Sequence, residues 1–329
     1  MAEFRAGLNR TNGKPLHTLI LTDGKMGDLA QCRGVANALG APIDEIVVKP
    51  GKIAAMLART GKDPNFEEAL AAIDIAPNVV LASGRRAAPY LKTMKAQWGH
   101  ETLTVFLKDP RTGASAADLI WVPTHDALRG SNVITTHTGP HGHTAQRRAK
   151  AGSALRAQLA RYPRPWLGVL LGGATKKVKY EQATIDGLIQ AVATAGKNAG
   201  SILITPSRRT PMELTEALGT VHRHTWVWDG NPLADSLANP YPGMLGACDA
   251  FIVTGDSHNM VSEALSAGKH TMVFRPTGLP KKFTRFLDSM ESEGAITPPG
   301  TAQFDRTQDS IDATSFIASA ITERLKRRA

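Results

Sequence analysis

The stretch Asp249-Ala-Phe-Ile-Val-Thr-Gly-Asp-Ser-His-Asn-Met-Val-Ser-Glu-Ala-Leu-Ser-Ala-Gly-Lys269 decides the fold. Ala250–Thr254 is an apolar run of strand length, Gly255-Asp256-Ser257 a tight turn, and Met260–Ser266 a helix that stops before Gly268. A strand that feeds a helix through such a turn is half of a βαβ unit, and open sheets built from these units bind ligands beyond the carboxyl ends of their strands. Ser257 or Asp256 is expected to cap the helix, whose free N–H groups then face a phosphate. Glu263, on the same helix, can accept hydrogen bonds from both hydroxyls of a ribose. Taken alone it is equally a surface Glu favoured by the helix dipole.

The same alternation extends outward in both directions. Strands are expected at His17–Thr22, Glu45–Val48, Val79–Ala82, Thr104–Leu107, Leu119–Val122 and Val133–Thr136. A second series follows at Leu167–Leu171, Ser201–Thr205, His224–Val227, Ala250–Thr254 and Thr271–Phe274. Helical stretches lie between them, among them Asp28–Leu39, Lys52–Arg59, Ala145–Arg161 and Phe283–Glu293. Short apolar runs separated by helices make mostly parallel sheets, an α/β class. Tyr162-Pro163-Arg164-Pro165-Trp166 separates the two series, because two prolines interrupt a helix and favour extended chain. The expected organisation is a domain over residues 1–162, a second over 166–300, and a C-terminal segment, 301–329, whose helix Thr307–Arg327 packs back on the first. A length of 329 residues suits two such domains.

Lys and Arg exceed Asp and Glu by 10, and the excess is uneven: +9 in residues 1–164 against +1 in 165–329. Such a face suits an anionic partner, either a membrane surface or a lipid-linked pyrophosphate, as readily as it suits plain solubility. Nucleic acid is not expected, since aromatic residues make up only 5% and no RNA- or DNA-binding motif is present. Two cysteines, Cys32 and Cys248, cannot build a disulfide scaffold or a four-thiolate zinc site, which points to a reduced cytoplasm. No apolar run approaches the roughly 18–20 residues of a membrane span, and Met1–Lys14 lacks the apolar core of a secretory signal. A cytoplasmic protein, peripheral on the inner face of the cytoplasmic membrane, is the expected setting.

Several common machines are absent: there is no Gly-x-Gly, no Walker A loop, no Gly-x-Ser-x-Gly and no Asp-x-Asp metal clamp. What remains is a set of polar strand-end loops. Asp23-Gly24-Lys25-Met26-Gly27-Asp28, followed by Gln31, pairs glycines with a helix start, and Asp23 and Asp28 are candidate general bases. Ser83-Gly84-Arg85-Arg86 offers two arginines to a phosphate or carboxylate, and Lys108-Asp109-Pro110-Arg111 adds Asp109 as another base. In the second series, Gly172-Gly173 opens a loop and Ser207-Arg208-Arg209-Thr210-Pro211 can grip a diphosphate, with Thr210 capping the next helix. Tyr241 is a candidate to stack on a base. His137, His141 and His143 lack the carboxylate or thiolate that would complete a metal set, so no metal site is assigned.

Ser262-Glu263-Ala264 with Gly268 resembles the donor half of GT-B glycosyltransferases. More closely, the whole chain resembles the mitochondrial-fission Elm-one family through Thr22–Asp28 with Gln31, Ala82–Pro89, Lys108–Arg111, Pro123–Asp126, Gly172-Gly173, Thr205–Pro211, Asn239–Tyr241, Asp256–Glu263 and Lys282–Phe286. The resemblance implies two Rossmann-like domains facing a cleft. Glu263 is then the ribose carboxylate, Gly172, Gly173, Ser207, Arg208, Arg209, Asp256 and Ser257 lie near the diphosphate, and Lys282 and Arg285 serve the acceptor side with Gly24, Lys25, Gly27, Gln31, Arg85 and Arg86. Retaining members of the fold carry Glu-x7-Glu, and Gly255 stands where the first Glu would fall, so inversion is expected, with Asp28 or Asp109 as base. The implied activity is a metal-independent transferase that uses a nucleoside-diphosphate sugar, without a cofactor, on a lipid-linked or envelope-polysaccharide acceptor. A sugar-nucleotide 2-epimerase and a non-catalytic sugar-nucleotide-binding scaffold tied to mitochondrial fission are the alternatives.

Overall fold

A computed structural model describes residues 10–11, 14–48, 76–228 and 239–328. The chain divides into two compact units, Met1–Gly142 with Ala313–Ala329, and His143–Asp312. The expected helix at Lys52–Arg59 and nearly all of the Met1–Lys14 leader lie outside the described residues.

The first unit contains β1 (Thr18–Thr22), α1 (Met26–Leu39), β2 (Ile43–Val47), β3 (Val79–Ser83), α2 (Ala88–Trp98), β4 (Leu103–Leu107), β5 (Leu119–Pro123) and β6 (Val133–Thr136). The six strands form one parallel sheet in the order β2-β1-β3-β4-β5-β6. Every residue of β1, β3, β4 and β5 is buried, because helices cover both faces of a parallel sheet. Alternate residues serve opposite faces: Ile20, Val79 and Leu81 meet α1, whereas Leu19, Leu21, Val80 and Ala82 meet α2. Because β2 lies on one side of β1 and β3 on the other, strand order reverses between β1 and β3.

The second unit contains α3 (Ala145–Gln158), β7 (Trp166–Leu170), α4 (Gln182–Ala195), β8 (Ser201–Thr205), α5 (Met212–Leu218), β9 (Thr225–Val227), α6 (Tyr241–Ala247), β10 (Ala250–Thr254), α7 (His258–Leu265), β11 (His270–Phe274) and α8 (Lys281–Ser292). Its parallel sheet runs β9-β8-β7-β10-β11, so the order reverses between β7 and β10. Every expected strand forms within a residue or two of its expected bounds.

The boundary between units is corrected. The Pro-rich segment does not separate them; it is the bend that leads into β7. The Trp166 N–H donates to Asp249 Oδ2 at 2.8 Å, Arg164 pairs with the same carboxylate, and the Gly200 N–H donates to the Pro165 carbonyl at 2.8 Å. Helix α3 therefore belongs to the second unit, packed on α6 through glycines. A Cβ at Gly152 would lie 2.5 Å from the Gly246 carbonyl carbon, and one at Gly246 would lie 1.9 Å from the Arg148 carbonyl oxygen. Residues 143–164 hold six Lys and Arg and no acid, so much of the first half's positive surplus sits on the second unit.

The terminal helix α9 (Ala313–Lys326) starts later than expected. It buries Ile317, Ile321 and Leu325 in the α1 face of the first sheet. Beyond it, Arg328 pairs with Asp118 at 2.9 Å. Burial alone would push the Asp118 carboxyl up, but hydrogen bonds from Lys95 and Thr104 and the charge of Arg328 hold it below its ordinary range. Among the described residues, no helix is long and apolar enough to cross a membrane.

The α3–α6 contact yields a stability prediction. Gly152→Ala should destabilise the second unit by about 1–3 kcal/mol through overpacking against backbone, whereas Ala154→Ser, on the exposed face of α3, should leave it within about 0.5 kcal/mol. Urea unfolding midpoints of the two variants check this.

Candidate functional site

In the second unit the strand-order reversal brings the loop after β7 beside the turn after β10. Here the Asp256 side chain is wholly withdrawn from water. Its Oδ2 accepts the Gly173 N–H at 2.9 Å, its Oδ1 accepts the Tyr180 hydroxyl at 3.1 Å, and Arg209 approaches Oδ2 at 4.0 Å. The Gly172 N–H donates to Thr254 Oγ1 at 2.7 Å. A Cβ at Gly172 would lie 2.2 Å from Asp256 Oδ2, and one at Gly173 would lie 2.2 Å from the Arg209 carbonyl carbon, so neither position accepts a side chain. The glycine pair exists because a buried carboxylate and the Arg209 backbone press against it from both sides.

Asp256 is therefore a brace, and it is Ser257 that caps α7 by accepting the Met260 N–H. Thr210 does not cap α5, whose N-cap is Pro211. The Thr210 hydroxyl donates to the Gly172 carbonyl and accepts the Ser207 N–H at 2.8 Å, and Ser207 Oγ also donates to the Gly172 carbonyl, at 2.8 Å. Arg208 and Arg209 are exposed above this braced turn. Three exposed lysines that sequence reading passed over, Lys176, Lys177 and Lys179, project from the loop after Gly173, which is pinned by buried Val178. The Lys-Lys-x-Lys spacing was the available signal. A Cβ at Gly255 would come within 2.7 Å of Leu287 Cδ1, so a side chain there would require Leu287 to move.

Glu263 lies one turn further along α7, with a side chain 14% exposed. Tyr241, at the start of α6, donates its hydroxyl to Glu263 Oε2 at 2.5 Å. His143 Nε2 stands 3.7 Å from Oε1, and its ring centroid lies 5.7 Å from that of Tyr241. Burial pushes the Glu263 carboxyl up to about 7, partly offset by the Tyr241 hydrogen bond. Burial and the neighbouring carboxylate raise the Tyr241 phenol well above its ordinary value. The expected base-stacking role of Tyr241 meets a hydroxyl engaged with Glu263 and a ring packed on the core. Lys282 and Arg285 are exposed on α8, in the second unit.

In the first unit, the reversal between β1 and β3 brings together Asp23 and Gly84. Gly84 has φ +92°, and a Cβ there would lie 2.5 Å from the Asp23 carboxyl carbon. The Asp23 side chain is 4% exposed; its Oδ2 accepts from Lys25 Nζ at 2.9 Å, while its buried Oδ1 has no hydrogen-bond partner. Asp28, in the first turn of α1 and not its N-cap, is paired with Lys108. Asp109 accepts the Arg111 N–H at 2.8 Å and pairs with its guanidinium at 3.2 Å. Both expected bases are thus already engaged by cations. Gly24 takes a left-handed φ of +84° at the turn, Gly27 is exposed in the first turn of α1, Gln31 is buried one turn on, and Arg85 and Arg86 are exposed just before α2.

Two parallel sheets of six and five strands with the terminal helix α9 define a GT-B-like protein, the architecture of nucleotide-sugar enzymes. The profile described as mitochondrial fission ELM1 matches residues 26–325, and the chain belongs to that family. It is 27% identical over 252 residues to the mitochondrial fission protein ELM1 of Arabidopsis thaliana, a match that covers 67% of this chain and 56% of that protein. The chain thus spans little more than half the length of that relative. Among solved structures it is similar to the UDP-GlcNAc 2-epimerase of Neisseria meningitidis bound to UDP-GlcNAc, at TM-score 0.57 and 12% identity, covering 94% of this chain and 99% of the other. It is also similar to a UDP-glucosyltransferase of Polygonum tinctorium, at TM-score 0.50 and 12% identity, covering 97% and 95%. At such identities these likenesses establish the fold alone.

The buried Glu263 makes a pH-dependent prediction. A carboxyl raised to about 7 in the folded protein stays protonated while its unfolded counterpart ionises near 4.5, so stability falls as pH rises between those values. Glu263→Gln should remove that loss. Relative to wild type, its unfolding free energy should be higher at pH 8 by about 3 kcal/mol, with the gain vanishing below about pH 4.5; urea unfolding at the two pH values checks this.

Proposed function

We propose that the protein is an inverting glycosyltransferase that uses a nucleoside-diphosphate sugar, without a resident cofactor, on a lipid-linked or envelope saccharide. The observation that carries this reading is the braced Gly172-Gly173 turn at the second sheet's switch point, set among exposed cations and a capped helix start. In this reading the diphosphate lies on the glycine turn, its charge met by Arg208, Arg209 and the N–H groups that open α7. The ribose diol donates to Glu263. Gly255 supports inversion, because the retaining pattern needs a Glu there.

The step is a single displacement. The acceptor oxygen bonds to the anomeric carbon, the bond from that carbon to the phosphate oxygen breaks, and the nucleoside diphosphate departs with the electron pair. We assign the acceptor's proton to Asp23, whose Oδ1 has no partner although its Oδ2 holds Lys25, over Asp109, both of whose oxygens are taken by Arg111; Asp28, which pairs with Lys108 through one oxygen, is the alternative base. The net charge of +10 supports an anionic acceptor.

A thermal-shift screen of UDP-, GDP-, ADP- and dTDP-sugars tests the reading, since a ligand at 100 times its dissociation constant stabilises by about 2.7 kcal/mol. Glu263→Ala should weaken the binding nucleotide about ten- to a hundredfold. Asp23→Asn should spare binding and lower turnover by about 10²–10⁴. If no nucleotide sugar stabilises the protein, the proposal fails. Formation of the C2 epimer from UDP-GlcNAc without acceptor would replace the transferase by an epimerase, and tight binding without turnover would favour a scaffold.

The lipid-linked acceptor has its own check. Sedimentation with anionic vesicles should show binding that falls with salt, each Lys or Arg near the surface contributing about 1 kcal/mol. Absence of binding even at low salt would remove that acceptor class.

A further inference from the structure

We infer that Tyr241 is a positioning residue for Glu263: its hydroxyl engages the carboxylate oxygen that a ligand diol would use, so ligand binding exchanges one hydroxyl donor for another. This rests on the nucleotide-sugar reading and adds a proton linkage to it.

The geometry is confined to the second unit. Glu263 Oε2 accepts the Tyr241 hydroxyl at 2.5 Å. Its other oxygen, Oε1, lies 3.7 Å from His143 Nε2, too far for a direct hydrogen bond. Arg148, on α3, donates to the His143 carbonyl and to Ser266 Oγ, and Ser266 Oγ donates to the Glu263 carbonyl at 2.6 Å. Asp312 adds its charge near Arg148. Glu263 is thus faced by Tyr241 from α6 and by His143 from the segment before α3, with Arg148 behind them. Tyr241 bonds the carboxylate itself, at Oε2, whereas the Arg148–Ser266 chain reaches the Glu263 backbone carbonyl.

The ionised carboxylate offers both oxygens as strong, charge-assisted acceptors, whereas the protonated acid turns one of them into a donor, so a diol that bridges the two oxygens favours the ionised form. With the Glu263 carboxyl raised to about 7, ligand binding near neutrality must release a proton. Affinity should rise with pH through about 7 and level off above it. The Tyr241 hydrogen bond lowers the carboxyl's pKa, so removing it moves the midpoint up. Once Glu263 is ionised, a site without the phenol has no resident donor to displace.

The test is isothermal titration of the full chain with UDP, GDP and ADP, and with the 2′-deoxy form of whichever binds, at pH values from about 5.5 to 9. Measurements in two buffers of different ionisation heat count the protons released. Wild type should release a proton near pH 6.5 and bind tighter as pH rises to about 7, and the 2′-deoxy nucleotide should lose most of this dependence. Tyr241→Phe should move the midpoint upward and, at about pH 9, bind several-fold tighter than wild type; a purely structural loss would weaken binding at every pH. Glu263→Gln provides a second variant, expected to bind weakly and without pH dependence. Nucleotide binding that is flat with pH, or a Tyr241→Phe midpoint equal to that of wild type, overturns the inference and leaves the nucleotide-sugar reading standing. If none of the three nucleotides binds at any pH, that reading falls and the inference falls with it.

Discussion

The Asp256 carboxylate is buried where the second sheet reverses its strand order, and the candidate site is built around satisfying it. Buried carboxylates demand donors, and here they are a backbone N–H and a phenol, with the charge of the Arg209 guanidinium 4.0 Å away. Meeting that demand draws the β7 loop against the β10 turn and leaves space only for glycine at Gly172 and Gly173. It also leaves Ser257 to cap α7, and it draws Arg209 over the turn that Ser207 and Thr210 close.

The first unit reaches a related solution with fewer donors. Asp23 is equally withdrawn and equally forces a glycine, Gly84, at a left-handed φ. Yet only one of its oxygens is met, by Lys25, and the other is left without a partner. A fully satisfied carboxylate holds structure together, whereas a half-satisfied one retains capacity for a ligand's hydrogen. That contrast separates Asp256, a brace, from Asp23, a group with chemistry still available to it.

The two helix contacts that define the units are of opposite kinds. Helix α9 is held by aliphatic burial along one stripe and by Arg328 at its end, a union of apolar area and ion pairing. Helix α3 is held to α6 by the absence of side chains, with glycines letting backbones approach closely. The first could be anticipated from its Ala, Ile and Leu spacing. The second could not, because a glycine in a helix ordinarily reads as a weakness and becomes an asset only opposite another smooth surface.

Sequence alone determined the strands, because five-residue apolar runs such as Ser201–Thr205 and Ala250–Thr254 have few other ways to be buried. It also determined the GT-B-like class and the candidate role of Glu263, whose neighbours in sequence form one strand-turn-helix unit. Local chemistry was legible where partners are close along the chain, as with Ser257 and Met260. Tertiary structure decided the rest. That Asp256 braces Gly173, that Asp23 lies against Gly84, that Lys108 engages Asp28 and that Tyr241 meets Glu263 are pairings between residues distant in sequence. The unit boundary was likewise hidden, because prolines mark where a helix ends but not which sheet the following chain joins. A sequence carries the propensity of each element; which polar atoms find partners, and which are left without one, depends on how the sheets bring their strand ends together.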